Sequence, residues 1–322
     1  MRPLVALVIF ALACASCEVA QAAPRRRHRP AGPPAAAVPE DAPTPAPPSA
    51  ASSLAGPVPA AIAPMPVQEA PPLHNPGILL ENLTWPEAEE RLKPETVIVI
   101  PLGAAAKEHG PHLRLKNDWL IAEYLKRRVL EAAAVVVAPT IPYHYYPAFT
   151  EYPGSTSLRL ETARDLVVDI VRSLARFGPK RFYVLNTGIS TLRPLQAAAE
   201  LLVNDGVLLR WSDTRQLMGE AEKAVRRQAG GSHADEIETS MMLYLAPEAV
   251  DMTRAANDYD AVGQGALTRV KGAPGTYSPT GIWGDATLAT REKGERVVEA
   301  LVAGVLRELG ELAHASPPVP AR

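Results

Sequence analysis

Residues 97–118 read VIVIPLGAAAKEHGPHLRLKND. The β-branched apolar run Val97, Ile98, Val99, Ile100 predicts a short buried strand. It ends at Pro101 and Gly103, residues that stop a strand and let the backbone turn. The loop beyond gathers Glu108, His109, His112 and Asp118, and Gly110 and Pro111 fix the turn between the two histidines. Imidazole with carboxylates at the C-terminal end of a strand is a donor set suited to zinc or manganese. Open α/β sheets place their sites at that same end. The same residues also admit a plainer reading, a solvated loop with Asp118 as the N-cap of the next helix.

Outward from this stretch, strand and helix patterns alternate. Ile121, Leu125 and Val129 recur at helical spacing, and Leu120 and Tyr124 widen that face. Residues 134–138 (AVVVA), 181–185 (RFYVL) and 207–211 (VLLRW) predict three further strands. Leu166, Val167, Ile170, Val171 and Leu174 mark an amphipathic helix, with a Thr162–Asp165 capping box at its start and Gly178 beyond its end. A helix is expected near 235–245, and a long one is marked by Val297, Val298, Leu301, Val302, Val305, Leu306 and Leu309. Strands separated by helices imply an α/β fold with a mainly parallel central sheet covered on both faces.

The chain has 322 residues and a net charge of -2. It lacks the concentrated basic face of a nucleic-acid binder. About half of its 33 prolines lie before residue 75. Residues 1–23 read as an export signal, with Arg2, an apolar core from Leu4 to Ala15, and Ala20-Gln21-Ala22 as a small-x-small cleavage site. Both cysteines, Cys14 and Cys17, fall inside it, so cleavage at Ala22 leaves a chain without thiols. Acylation of Cys14 is the alternative processing, and the only route by which a membrane enters the reading. Either way the protein is expected to be exported, periplasmic or secreted. Residues 24–74, RRRHRP followed by an Ala/Pro tract, are expected to form a solvated, disordered tether. Residues 75–315 are expected to form one α/β domain, with 316–322 a disordered tail. Asn82-Leu83-Thr84 matches a glycosylation sequon.

Several separated motifs together resemble the creatininase (creatinine amidohydrolase) family. They are residues 101–118 (PLGAAAKEHGPHLRLKND), Leu83-Thr84-Trp85, residues 152–158 (YPGSTSL), residues 233–240 (HADEIETS), Gly284-Asp285 and residues 289–295 (ATREKGE). The resemblance implies a three-layer αβα sandwich, a two-metal zinc or manganese site, hydrolysis of a cyclic amide, and hexamers. By resemblance, His109 and Asp118 fall on metal ligands, Asp118 being the bridging one. His233 falls on a histidine that contacts substrate and assists proton transfer, and Glu238 lies close to the metals. The chain also departs from the pattern. Lys107 stands where the family has its first glutamate ligand, with Glu108 one residue on. Ile189 and Thr191 replace a histidine and a glutamate, and neither substitutes well for a lost ligand.

The expectation is therefore one zinc or manganese ion rather than two, held by Glu108, His109 and Asp118, with Glu238 or His144 completing the shell. His233 and Glu238 are the expected catalytic pair, although Asp235-x-x-Glu238 is also a capping box in its own right. His112 is expected beside the site as a hydrogen-bonding group. Tyr143, His144, Tyr145 and Tyr146 follow the second strand and either line a substrate pocket or pack a loop. Ser190 lies at a strand-to-helix turn, but Leu192 removes the second glycine of a G-x-S-x-G elbow. The turn could instead offer backbone N–H groups to an anion. His112, His144, Tyr145 and Ser190 are thus the substrate-side candidates. Two functions follow from the resemblance. One is a metal-dependent hydrolase of the C–N bond of a small amide, working as a homo-oligomer. The other is a family member that has lost catalysis and keeps its pocket for ligand binding or assembly.

Overall fold

The computed structural model describes residues 76–320. The expected export signal and the whole of the expected tether lie outside the described residues, as do residues 75, 321 and 322. Among the described residues, no helix is long and apolar enough to cross a membrane. Of the expected tail, residues 316–320 are described, and Pro318 and Pro320 lie beside Gly206.

A five-stranded parallel sheet forms the middle layer. Its strands are β1 (Ile78–Leu79), β2 (Val97–Leu102), β3 (Val136–Val137), β4 (Arg181–Asn186) and β5 (Leu208–Trp211), in the spatial order β1-β3-β2-β4-β5. The register between the two longest strands runs from Val97 opposite Arg181 to Leu102 opposite Asn186. Along β2 and β4 every residue but Arg181 is buried, and the period-two alternation sends successive side chains to opposite faces. Val97, Val99, Tyr183 and Leu185 enter one core, while Ile98, Ile100, Leu102, Phe182 and Val184 enter the other.

Among the described residues seven helices flank the sheet: α1 (Trp85–Arg91), α2 (Asn117–Ala132), α3 (Leu160–Ala175), α4 (Leu192–Leu202), α5 (Thr214–Val225), α6 (Glu236–Leu245) and α7 (Arg291–His314). The apolar stripes of α2, α6 and α7 close the first core, and those of α3 and α4 close the second. The result is the expected three-layer αβα sandwich. Two small two-stranded sheets stand apart from it. They pair β6 (Asn257–Asp258) with β9 (Gly284–Asp285), and β7 (Leu267–Thr268) with β8 (Thr276–Tyr277).

Two caps differ from expectation. Helix α3 begins at Leu160, ahead of the Thr162–Asp165 box, and its N-cap Arg159 makes no side-chain capping bond. Asp118 is not an N-cap either: α2 starts at Asn117 after Lys116, and Asp118 lies buried in its first turn. Its place there depends on Gly103. A Cβ at Gly103 would lie 2.3 Å from the Asp118 carbonyl oxygen and 2.8 Å from the Ala122 Cβ. The absent side chain lets α2 start directly against the end of β2, where the Trp119 N–H donates to the Ala104 carbonyl at 3.1 Å.

Gly103→Ala is therefore expected to destabilise the fold by about 1–3 kcal/mol, the usual cost of overpacking. Gly219→Ala, inside α5 with no neighbour within 4 Å, is expected to stabilise it by about 0.5–1 kcal/mol. Urea denaturation of the two variants checks the opposite signs.

Candidate metal centre

The site forms where the loop after β2, the first turn of α2 and the start of α6 meet. Asp118 is 1% exposed and divides its two oxygens between two cationic groups. Oδ1 lies 2.8 Å from His109 Nε2, and Oδ2 lies 2.8 Å from Lys107 Nζ. The other nitrogen of His109, Nδ1, donates to the Lys107 carbonyl oxygen at 3.0 Å. Glu238 Oε1 is 3.5 Å from the same Nε2, and Asn117 Nδ2 donates to that oxygen at 3.4 Å.

Helix α6 aims Glu238 into the site. Asp235 caps the helix by accepting from the Ile237 and Glu238 N–H groups. Glu238 does not reach back to the Asp235 N–H as a capping box requires. Its Oε2 accepts from the Ala234 N–H at 2.6 Å, which leaves Oε1 facing His109. Ala234 has φ 48, the one non-glycine residue in the left-handed region among the described residues. This strained turn sets His233 next to Glu238. His233 Nε2 meets Glu108 Oε1 at 2.8 Å, and Nδ1 lies 3.7 Å from Glu238 Oε2.

Glu108 thus serves His233 instead of standing beside Asp118 as expected. Its Oε2 accepts from the Gly110 N–H at 2.9 Å. Gly281 has no Cβ to collide with that oxygen, which would be only 2.2 Å away. The expected trio Glu108, His109 and Asp118 is accordingly replaced by another. His109, His233 and Glu238 each offer one donor atom, and the three atoms lie within 4.8 Å of one another.

The proton inventory follows from these contacts. His109 has an acceptor at both nitrogens, so without a metal its ring is an imidazolium. Burial and the nearby Lys107 ammonium oppose that charge, but Asp118 and Glu238 outweigh them and push its pKa up to about 9. Burial would raise the Glu238 carboxyl, yet the charges of His109, His233 and Lys107 hold it well below the carboxylate range. Burial acts the same way on Asp118, and Lys107 and His109 likewise hold it low. Glu108 is held low by His233 against burial.

The site opens into a cavity of about 640 Å³ whose wall includes Lys107, Phe149, Ser190, His233, Glu238 and Trp283. Ser190 therefore reaches the cavity. His112 does not, and its Nε2 shares a hydrogen bond of 2.7 Å with Thr239 Oγ1 behind the site. Burial lowers its pKa to about 4, so it is neutral. His144 is fully buried with Nε2 on the Ala163 carbonyl, and neither it nor Tyr145 lines the cavity. Of the Tyr143–Tyr146 run, Tyr146 reaches the cavity wall. Phe149 went unnoticed in the sequence. Its ring lies 4.4 Å from that of His233 and 4.6 Å from Lys107 Nζ. It sits in a Pro-Ala-Phe turn with no periodicity to mark it.

The model of the family described as creatinine amidohydrolase matches residues 81–309. The chain belongs to the creatininase family. It is 30% identical to the creatinine amidohydrolase of Pseudomonas putida over 265 residues, covering 73% of this chain and 97% of that one. A mycofactocin precursor peptide peptidase of Mycobacterium ulcerans is 28% identical, over 68% of this chain and 82% of its own. Among solved structures, one described as "Creatininase Mn" superposes with a TM-score of 0.64 at 26% identity, over 74% of this chain and all (100%) of that one. A creatininase variant of "Zn-Zn type" gives 0.63 at the same 26% identity, over 74% and 98%. Metal ions thus belong to the family's solved structures, and the His109, His233 and Glu238 group is where this member could seat one.

The raised pKa of His109 has a testable consequence in chelator. Its ordinary value is 6.5 and its folded value about 9. The resulting stabilisation is fully present below pH 6.5 and lost as pH rises through 9. It amounts to about 3 kcal/mol at most. Thermal melts of metal-free protein from pH 6 to 10 are expected to show this loss, and His109→Gln is expected to flatten it.

Proposed function

We propose that this protein hydrolyses the C–N bond of a small amide, cyclic or open, with the help of one zinc or manganese ion. The supporting observation is the direction of the two imidazoles. His109 commits its Nδ1–H to a backbone carbonyl, and His233 turns its Nε2 to the Glu108 carboxylate. In this reading His233 offers its Nδ1 to the ion, His109 gives up the Nε2 hydrogen bond to Asp118 in exchange for it, and Glu238 is the third donor. A carboxylate or carbonyl behind a ligating histidine is the usual way to fix its tautomer.

The charges suit a single ion. With both rings uncharged, Glu108, Asp118 and Glu238 stand against the one ammonium of Lys107, and the remaining -2 matches one divalent cation. A divalent ion held there supplies Lewis acidity toward an amide carbonyl at neutral pH. His233 and Glu238, expected from the sequence as the catalytic pair, take the role of holding the ion. Glu108 orients His233, Asp118 balances the charge beside His109, and Phe149 keeps water from the face of the His233 ring.

The names of the relatives, creatinine amidohydrolase and mycofactocin precursor peptide peptidase, support a C–N hydrolase. The buried, charge-matched cluster supports it over an inactive binding module, the reading that the loss of two ligands at Ile189 and Thr191 suggests. Hydrolysis of a panel of lactams and short peptides, followed by amine release, is expected to stop in chelator and return with Zn²⁺ or Mn²⁺. His109→Ala is expected to abolish both activity and metal binding. Glu108→Gln is expected to weaken metal binding by about 10–100-fold. Undiminished hydrolysis by metal-free protein would count against the reading.

A further inference from the structure

Lys107 is an unexpected residue for a cation-binding site. Its ammonium points toward the centre of the site, 2.8 Å from Asp118 Oδ2, with its side chain 7% exposed. Its backbone is fixed at both ends, the N–H donating to the Leu115 carbonyl at 3.0 Å and the carbonyl accepting from His109. The faces of Phe149 and Tyr146 lie 4.6 and 5.6 Å from Nζ. The lysine is therefore clamped where it is, with aromatic rings and a carboxylate replacing water around the charge.

The two oxygens of Asp118 make the comparison direct. One faces the proposed ion seat at His109, where a second carboxylate, Glu238, also converges. The other faces the Lys107 ammonium at 2.8 Å. A carboxylate with one oxygen toward each of two cations is how two metal ions share a ligand. Here the second cation is part of the chain. Ile189, which shares the cavity with Lys107, is a hydrocarbon and offers a metal no donor atom.

We infer that the Lys107 ammonium is a tethered second cation, taking up Asp118 Oδ2 and excluding a second metal ion from the site. This rests on the one-ion reading above and adds a distinct claim, that the ion count is set by a lysine. Removing the charge is expected to relieve repulsion at the remaining seat and to free Asp118 for the ion. Replacing it with a carboxylate, together with a histidine in place of Ile189 in the same cavity lining, is expected to create a second seat.

The test is Zn²⁺ binding to stripped, refilled protein, by calorimetry and by elemental analysis after desalting, with circular dichroism to confirm folding. Lys107→Met is expected to bind Zn²⁺ at least tenfold more tightly than the wild type. The double variant Lys107→Glu, Ile189→His is expected to hold one ion more than the wild type. A folded Lys107→Met with wild-type affinity, or a wild type that already holds two ions, would overturn the inference. The wild-type count tests the hydrolase reading separately. A count of zero would remove the metal mechanism, while the differences between variants and wild type would still decide the role of Lys107.

Discussion

Asp118 is a carboxylate almost wholly removed from water, and each of its oxygens needs a positive partner. An unpaired buried charge costs several kcal/mol, so the surroundings of this group are tightly constrained. His109 answers one oxygen and Lys107 the other. Both come from the same three-residue stretch within the loop after β2, and Glu108 between them points the opposite way, to His233. The extended Lys107-Glu108-His109 segment thus places alternate side chains on the two sides of one site. Gly103 and Gly281 make room for it, the first by admitting the start of α2 and the second by admitting the Glu108 carboxylate.

The sheet explains why the site can be held this firmly. β2 and β4 are buried on both faces and paired over six residues, so the loop after β2 leaves from a fixed point. Helices α6 and α7 pack against the same core, and α6 carries Glu238 to that loop. The buried ion pair of Lys293 with Glu236 ties the start of α7 to the start of α6, two residues from Glu238. The apolar core and the charged cluster are consequently parts of one arrangement, since a shift of α6 would move Glu238 away from His109.

Much of this was legible in the residues. The strand of residues 97–100, the RFYVL strand and the long C-terminal helix carry unbroken apolar runs or a clear helical period, and each appears where expected. The two small sheets were not legible, because two-residue strands carry no periodicity. At the site, the residues were visible and the partners were not. Glu108 and His233 are 125 positions apart, and only the tertiary fold brings them together. His144 looked like a cavity residue because it follows a strand beside three tyrosines. It instead faces the interior beneath α3, where its Nε2 meets the Ala163 carbonyl. Lys107 read as a departure from the family pattern, standing in the place of a glutamate ligand. The structure places it on Asp118, where it acts as a cation.

Anomalous diffraction from crystals of the wild-type protein grown with zinc tests the central claim most directly. One zinc peak is expected, within about 2.0–2.2 Å of donor atoms of His109, His233 and Glu238, with Lys107 Nζ still against Asp118 Oδ2. Two peaks sharing Asp118, with the lysine turned away, would contradict the account.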